Sequence, residues 1–222
     1  MLRFAEEIIL LLLDDDGKCA RTPSWSLTYA IAGGVLMDLA LENRIDTDLE
    51  QLVLVDATPV GDSLLDPTLA EIAAAEQDET AAGEKRDARF WVERTAGRAE
   101  ATREEALSRL VAHGILERRD DRFLWVFRSR RYPAIDGETR REVKLRIMKV
   151  LFSDEIPDPR DIVIICLANA CGIFEGLLSK QELSKASARI KEVRKLDLVG
   201  QAVTQVIHDI EASVAAAVAR GM

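Results

Sequence analysis

The chain has 222 residues, 48% of them hydrophobic and 31% charged, with a formal net charge of −9. This is globular composition, which excludes wholesale disorder and allows one sizeable domain or two small ones. Three cysteines (Cys19, Cys166, Cys171) and two histidines (His113, His208) are too few for a disulfide framework or a His/Cys zinc site, and they fit a reducing cytoplasm.

Phe4 to Leu13 reads as a buried first helix, or as a helix running into a strand, and Asp14-Asp15-Asp16-Gly17 as the turn after it. The apolar run Ile8 to Leu13 is far shorter than the ~20 residues that cross a bilayer, and the segment lacks a signal peptide's cleavage site. After Pro23, apolar residues at Leu27, Ile31, Val35 and Leu39, with a second row at Ala32, Leu36 and Ala40, predict a helix capped by Ser24 or Ser26. Gly33-Gly34 inside it lowers helix propensity, so a close-packed neighbour is expected there. Leu52 to Val55 is β-like. Pro59-Val60-Gly61-Asp62 is a turn whose Asp62, or Ser63, caps a helix over 64–75. The polar stretch 77–88 is the expected loop.

Phe90 and Trp91 open the middle helices, and Arg103 to His113 is helical, stopping at Gly114. Residues 115–132 predict a β-hairpin, turning at Asp120-Asp121, whose second strand is apolar on both faces: Phe123, Trp125 and Phe127 on one, Leu124 and Val126 on the other. One face can pack on the helical body. The other needs more core, a second protomer or a lipid surface. The remaining chain is read as helices over 140–151, 161–178, 183–196 and 200–218, broken at Pro157 and Pro159. The class is mainly α: a single helical domain over 1–222 around a buried central helix, with one or two β-hairpins.

Charge is unevenly spread. Residues 1–79 hold 17 acidic and 4 basic side chains, whereas 117–146 holds ten basic against six acidic. Such polarity can orient a molecule on an anionic surface although the whole is acidic. No nucleotide-binding glycine loop, nucleophile elbow or metal spacing is present, so the expectation is a protein that is not an enzyme and needs no metal or cofactor.

Five blocks, in order, resemble the Golgi phosphoprotein 3 family: Leu2 with Glu6-Glu7-Ile8-Ile9-Leu10-Leu11 and Asp16-Gly17; Leu36-Met37-Asp38-Leu39-Ala40-Leu41 with Arg44-Ile45; Asp56, Pro59, Gly61-Asp62 and Leu64-Leu65-Asp66; Leu110-Val111 with Gly114-Ile115-Leu116; and Leu167-Ala168 with Ala170 and Glu175. The resemblance implies a mostly helical domain that binds phosphatidylinositol 4-phosphate through a pocket on a basic face. It implies a peripheral membrane adaptor that retains glycosyltransferases in the Golgi, with a hairpin used in self-association and membrane contact. The family's coat-binding arginine cluster lies in an N-terminal extension that has no visible carrier here, since the resembling stretch starts at Leu2. Arginine outnumbers lysine 22 to 8, which points to a bacterial source. A Golgi location is expected only in a eukaryote, and otherwise the protein is expected to be cytoplasmic.

Carried over residue by residue, the pocket's tryptophan is Trp25. Its helix arginine falls at Ala32, and its later basic pair falls on Glu100 and Arg103. Two cations are therefore replaced, and with each charged hydrogen bond worth about 1.5–3 kcal/mol, headgroup specificity is expected to be weakened. Lys18, Arg21, Arg94 and Arg98 are candidate compensators, each adding about 1 kcal/mol near an anionic membrane. The site candidates are thus Trp25, Arg103, Arg98 and Arg21 for an anionic phospholipid, and Phe123, Trp125 and Phe127 for membrane contact or a homo-oligomer. The structural alternatives are a loop aromatic packed on the core for Trp25 and a solvated helix end for Arg103. A winged-helix-like module with Arg118, Arg119 and Arg122 at a wing tip is the competing reading, disfavoured by overall acidity. A self-associating scaffold without lipid binding is the other.

Overall fold

A computed structural model describes residues 1–14, 16–19, 24–47, 51–77, 86–123, 127–135, 137–196 and the single positions 205, 207, 209 and 212. The first helix, α1 (Phe4–Leu12), is buried along its whole length. Leu13 then leaves the helix in extended conformation and forms an isolated antiparallel bridge with Cys19. Both readings of this segment are therefore realised in sequence, helix first and a single strand-like residue after it. The Asp14 carboxylate accepts the Asp16 and Lys18 N–H groups at 3.0 and 2.8 Å and closes the turn. Gly17 has φ +73°, and a Cβ there would lie 2.1 Å from the backbone nitrogen of Pro133.

The second helix, α2 (Ser24–Leu41), is the central one. It packs against α1 and against four elements that follow it in the chain, and Ile31, Ala32, Val35, Leu36 and Leu39 are all buried. Ser24 is its first helical residue, and Ser26 does not cap it: it lies inside the helix, fully buried with an unpartnered hydroxyl. Gly34 does meet the close neighbour its sequence position demands. A Cβ there would stand 3.1 Å from the Phe4 Cβ, so α1 crosses α2 at this glycine.

Strand β1 (Ile45–Thr47) pairs antiparallel with β2 (Leu52–Leu54), Ile45 opposite Leu54. Asp62 does not cap the helix that follows: its carboxylate accepts the Leu64 N–H at 2.9 Å within the turn, and the N-cap position is Leu65, with no side-chain cap. The regular helix α3 (Asp66–Glu76) starts later than predicted, because the Asp66 carboxylate turns back to accept the N–H groups of Val60, Gly61 and Asp62. Most of the predicted loop 77–88 lies outside the described residues. Asp87 caps α4 (Ala88–Ala96) through the Phe90 N–H, and α5 (Ala99–Ala112) follows, ending at Gly114 with φ +70°.

The hairpin exists, but its register differs from the expectation. Strands β3 (Arg119–Phe123) and β4 (Phe127–Arg131) place Asp120 opposite Arg130, Asp121 opposite Ser129 and Phe123 opposite Phe127. Asp120 and Asp121 are thus in a strand, not a turn, and Phe123 and Phe127 stand on two strands rather than one. Arg119 and Arg122 lie along β3, so the wing tip drawn for a winged-helix reading is misplaced. Trp125, Leu124 and Val126 lie outside the described residues.

Helix α6 (Glu138–Leu151) matches its prediction. The predicted helix 161–178 is two: α7 (Pro159–Ala170), with Pro159 in its first turn and Asp158 as its cap, and α8 (Phe174–Leu177). Gly172, at φ +63°, separates them. A capping box of Ser179 and Glu182 starts α9 (Lys180–Val193). Of the predicted helix 200–218 only isolated helical positions are described, and Ile207 among them is fully buried. The protein is mainly α, one helical domain with two small antiparallel pairs among the described residues and a continuous apolar core running through α1, α2 and α7.

Candidate functional site

Helix α1 carries two glutamates into the core, Glu6 and Glu7, and α2 and α7 contribute the equally buried Asp38 and Asp161. Four arginines meet them. Arg109 from α5 approaches Glu6 at 3.1 Å and reaches Asp62 at 2.6 Å. Arg146 from α6 joins Glu7 at 2.6 Å to Asp161 at 2.5 Å. Arg160 lies over the Phe4 ring, 4.2 Å from its centroid, and donates to Asp38 at 3.3 Å and to the Leu2 carbonyl at 2.8 Å. Arg3 spans Glu42 and Asp62 at 2.5 and 2.8 Å.

Burial is the largest influence on the acids of this network. It pushes Asp38 up to about 6 against the pull of the Phe4 N–H, Arg160 and Arg3. It also pushes Glu7 and Asp161 up, against Arg146. At Asp62 burial acts the same way, but Arg3, the Leu64 N–H and Arg109 together hold that carboxyl below its usual range. Because the partners come from α1, α2, α5, α6, α7 and the turn before α3, the network fixes how these elements meet around α1. Among the described residues no group of three metal-ligating side chains is placed to hold an ion.

Reading the sequence for function missed this network. Its signal was acids inside apolar windows, Glu6-Glu7 before Ile8 and Asp38 between Met37 and Leu39. A carboxylate in such a window needs a buried cationic partner.

Of the predicted lipid-contact residues, Trp25 lies at the opposite end of α2 from Asp38. Trp25 is the second residue of the helix and half-buried. Arg103 is half-buried on α5; burial pushes the Cys19 thiol up, and the Arg103 charge opposes the shift. Helix α5, which carries Arg103, packs against α2, whose second residue is Trp25. Glu100 pairs with Arg103 at 3.4 Å, one turn earlier.

Arg98 is exposed at the start of α5, five residues before Arg103 and so ~140° away around the helix; the two do not share a face. Arg21 lies outside the described residues. Ala32 is fully buried, so the family's helix arginine has no surface counterpart at that position. The other cations proposed as compensators are matched by acids: Lys18 by Asp16 at 3.5 Å, and Arg94 by Glu71 at 2.8 Å. Lys18, Arg94 and Arg103 are thus each paired with an acid, and Trp25 is half-buried. No described helix is long and apolar enough to cross a membrane.

Residues 4–210 match the Golgi phosphoprotein 3 (GPP34) family. The chain is similar to vacuolar protein sorting-associated protein 74 of Eremothecium gossypii, with 23% identity over 230 residues, covering 88% of this chain and 67% of that protein. A match over almost the whole chain, on a mainly α fold with an antiparallel hairpin after a glycine-stopped helix, agrees with the blocks read from the sequence. The chain belongs to the Golgi phosphoprotein 3 family.

Proposed function

We propose that the protein is a non-enzymatic peripheral membrane protein that docks on anionic phospholipid through Trp25 and Arg103. Phosphatidylinositol 4-phosphate is the headgroup its family suggests. What supports the reading is that α5, which carries Arg103, packs against α2, whose second residue is Trp25. Family membership over residues 4–210 supports a membrane-adaptor role of the same general kind.

Headgroup preference is weak in this reading, because Ala32 is buried and Glu100 sets a carboxylate against Arg103. An indole at the interface and a few cations suffice for headgroup-indifferent association. The β3–β4 hairpin is the second contact in this proposal, for self-association or the membrane.

Flotation with neutral vesicles, vesicles containing phosphatidylserine and vesicles containing phosphatidylinositol 4-phosphate at matched charge tests the reading. The expected result is binding to both anionic sets, within about tenfold of each other, and loss on joint substitution of Trp25→Ala and Arg103→Ala. Failure to float with either anionic set rejects the reading. A hundredfold preference for the phosphoinositide rejects headgroup indifference alone.

A further inference from the structure

The buried acids around α1 are not compensated alike. Glu7 and Asp161 share one guanidinium, with Arg146 donating to them at 2.6 and 2.5 Å. Asp38 meets only cations that are engaged elsewhere. Its Oδ1 faces one nitrogen of Arg160 at 3.3 Å and one of Arg3 at 3.9 Å. Arg160 also donates to the Leu2 carbonyl at 2.8 Å and stands 3.6 Å from Glu7, while its own buried Nε has no hydrogen-bond partner. Arg3 is drawn to Glu42 and Asp62, at 2.5 and 2.8 Å. A buried carboxylate met by single, long and divided contacts is poorly compensated, and burial pushes Asp38 up to about 6.

The groups that meet Asp38 also fasten the first turn of α1. Asp38 Oδ2 accepts the Phe4 N–H at 2.7 Å. Arg160 holds the Leu2 carbonyl and lies over the Phe4 ring, 4.2 Å from its centroid. Residues 2–4 are thus tied to α2 and α7 through one acid and one arginine. The remaining acids of the junction stand differently. Glu6 and Asp62 have Arg109 from α5 at 3.1 and 2.6 Å, and Glu42 has Arg3. Asp158 caps α7 through the Arg160 N–H. Apart from this exposed cap, Asp38 is the one acid facing the junction without an arginine within 3.1 Å among the described residues.

We propose that Asp38 is the proton-binding element of a latch on α1: with its proton bound it closes the junction of α1, α2 and α7 around residues 2–4, and on losing the proton it loosens that turn. The sign follows from linkage. A closed state that binds the proton more tightly than an open, hydrated one is favoured while the proton is on, and opening grows as pH rises through the interval between the two affinities. Burial pushes Glu7 and Asp161 up as well, so they add a smaller dependence of the same sign.

NMR titration and native-state amide exchange on the full chain test the latch. In wild type the Asp38 carboxyl carbon is expected to titrate near pH 6. The opening constant at the Phe4 amide, corrected for the intrinsic base catalysis of exchange, is expected to rise about tenfold from pH 5 to pH 7, given ~3.9 for an aspartate in the open turn. That amide should also exchange well ahead of Ile165, which is fully buried in α7. In Asp38→Asn the rise should shrink to about threefold or less. An Asp38 midpoint near the ordinary ~3.9 overturns the inference. So does Phe4 exchange that keeps pace with Ile165, which makes the effect one of global unfolding, and so does a tenfold rise that survives in Asp38→Asn. Should that variant not fold, the two wild-type readouts decide by themselves.

Discussion

At Asp38 a carboxylate that is 1% exposed sits within an apolar helix, touched by the Phe4 N–H at 2.7 Å and by Arg160. Its pKa of about 6 means that the cost of burying the charge exceeds what these partners return. An unfolded aspartate titrates near ~3.9. Between that value and about 6 the native state holds more protons than the unfolded chain, so this residue's contribution to stability is complete at low pH and is lost as pH rises through the window. Asp62 behaves oppositely: held below its usual range, it stabilises above the unfolded value and loses that contribution on acidification. For Asp38→Asn, the stability difference from wild type is expected to shift in the variant's favour between about pH 4 and pH 7. Urea unfolding of both proteins at the two pH values measures it. A shift in wild type's favour would show that the arginines outweigh the burial.

Elements were legible where periodicity or a breaker residue decides them. The 3.6-residue spacing of Ile31, Val35 and Leu39 marks a buried face of α2, and Gly114 ends α5. Misreadings came where a local signal competed with a distant partner. Asp120-Asp121 is a turn signal by local chemistry, yet across the ladder it meets Arg130 and Ser129. The 161–178 run looks continuous because Gly172 alone breaks it. Arg146 and Glu7 are 139 positions apart, a distance at which no local pattern pairs charges. Trp25 and Arg103 were legible as residue types from family resemblance, whereas the acid partners of the surrounding cations are tertiary facts.

The turn after α1 was legible and is also strictly constrained. Gly17 combines a left-handed backbone with backbone contacts from Tyr132 and Pro133, and its carbonyl accepts the Tyr132 N–H at 3.0 Å. Gly17→Ala is expected to cost ~2 kcal/mol or more, since both strain and a clash with rigid backbone arise. A thermal or urea melt measures this cost. Because the turn joins α1 to the segment after the hairpin, unchanged stability would mean that this junction does not matter to the fold.

For the whole molecule, the sign of the charge matters less than where it is matched. At long range a chain of net charge −9 is repelled by an anionic membrane, while at contact Lys18, Arg94 and Arg103 attract lipid phosphates but are partly neutralised by Asp16, Glu71 and Glu100. Salt screens both the repulsion and the attraction between these cations and lipid phosphates, over a length of about 10 Å at 0.1 M, so the two changes offset each other as ionic strength changes. Vesicle binding by the wild-type chain is therefore expected to vary by less than about threefold between roughly 0.05 and 0.3 M NaCl. Glu100→Arg changes that balance. It removes the acid 3.4 Å from Arg103 and restores a cation at the position where the family pocket has one. At an exposed helical site the substitution leaves the fold intact, and with about 1 kcal/mol per charge near the surface, vesicle affinity should rise roughly tenfold or more. The gain should fade as salt is raised, which distinguishes a charge effect from an apolar one. If flotation with phosphatidylserine vesicles is no stronger for Glu100→Arg than for wild type at low salt, Arg103 does not face lipid, and the membrane-bound orientation built on Trp25 and Arg103 fails with it.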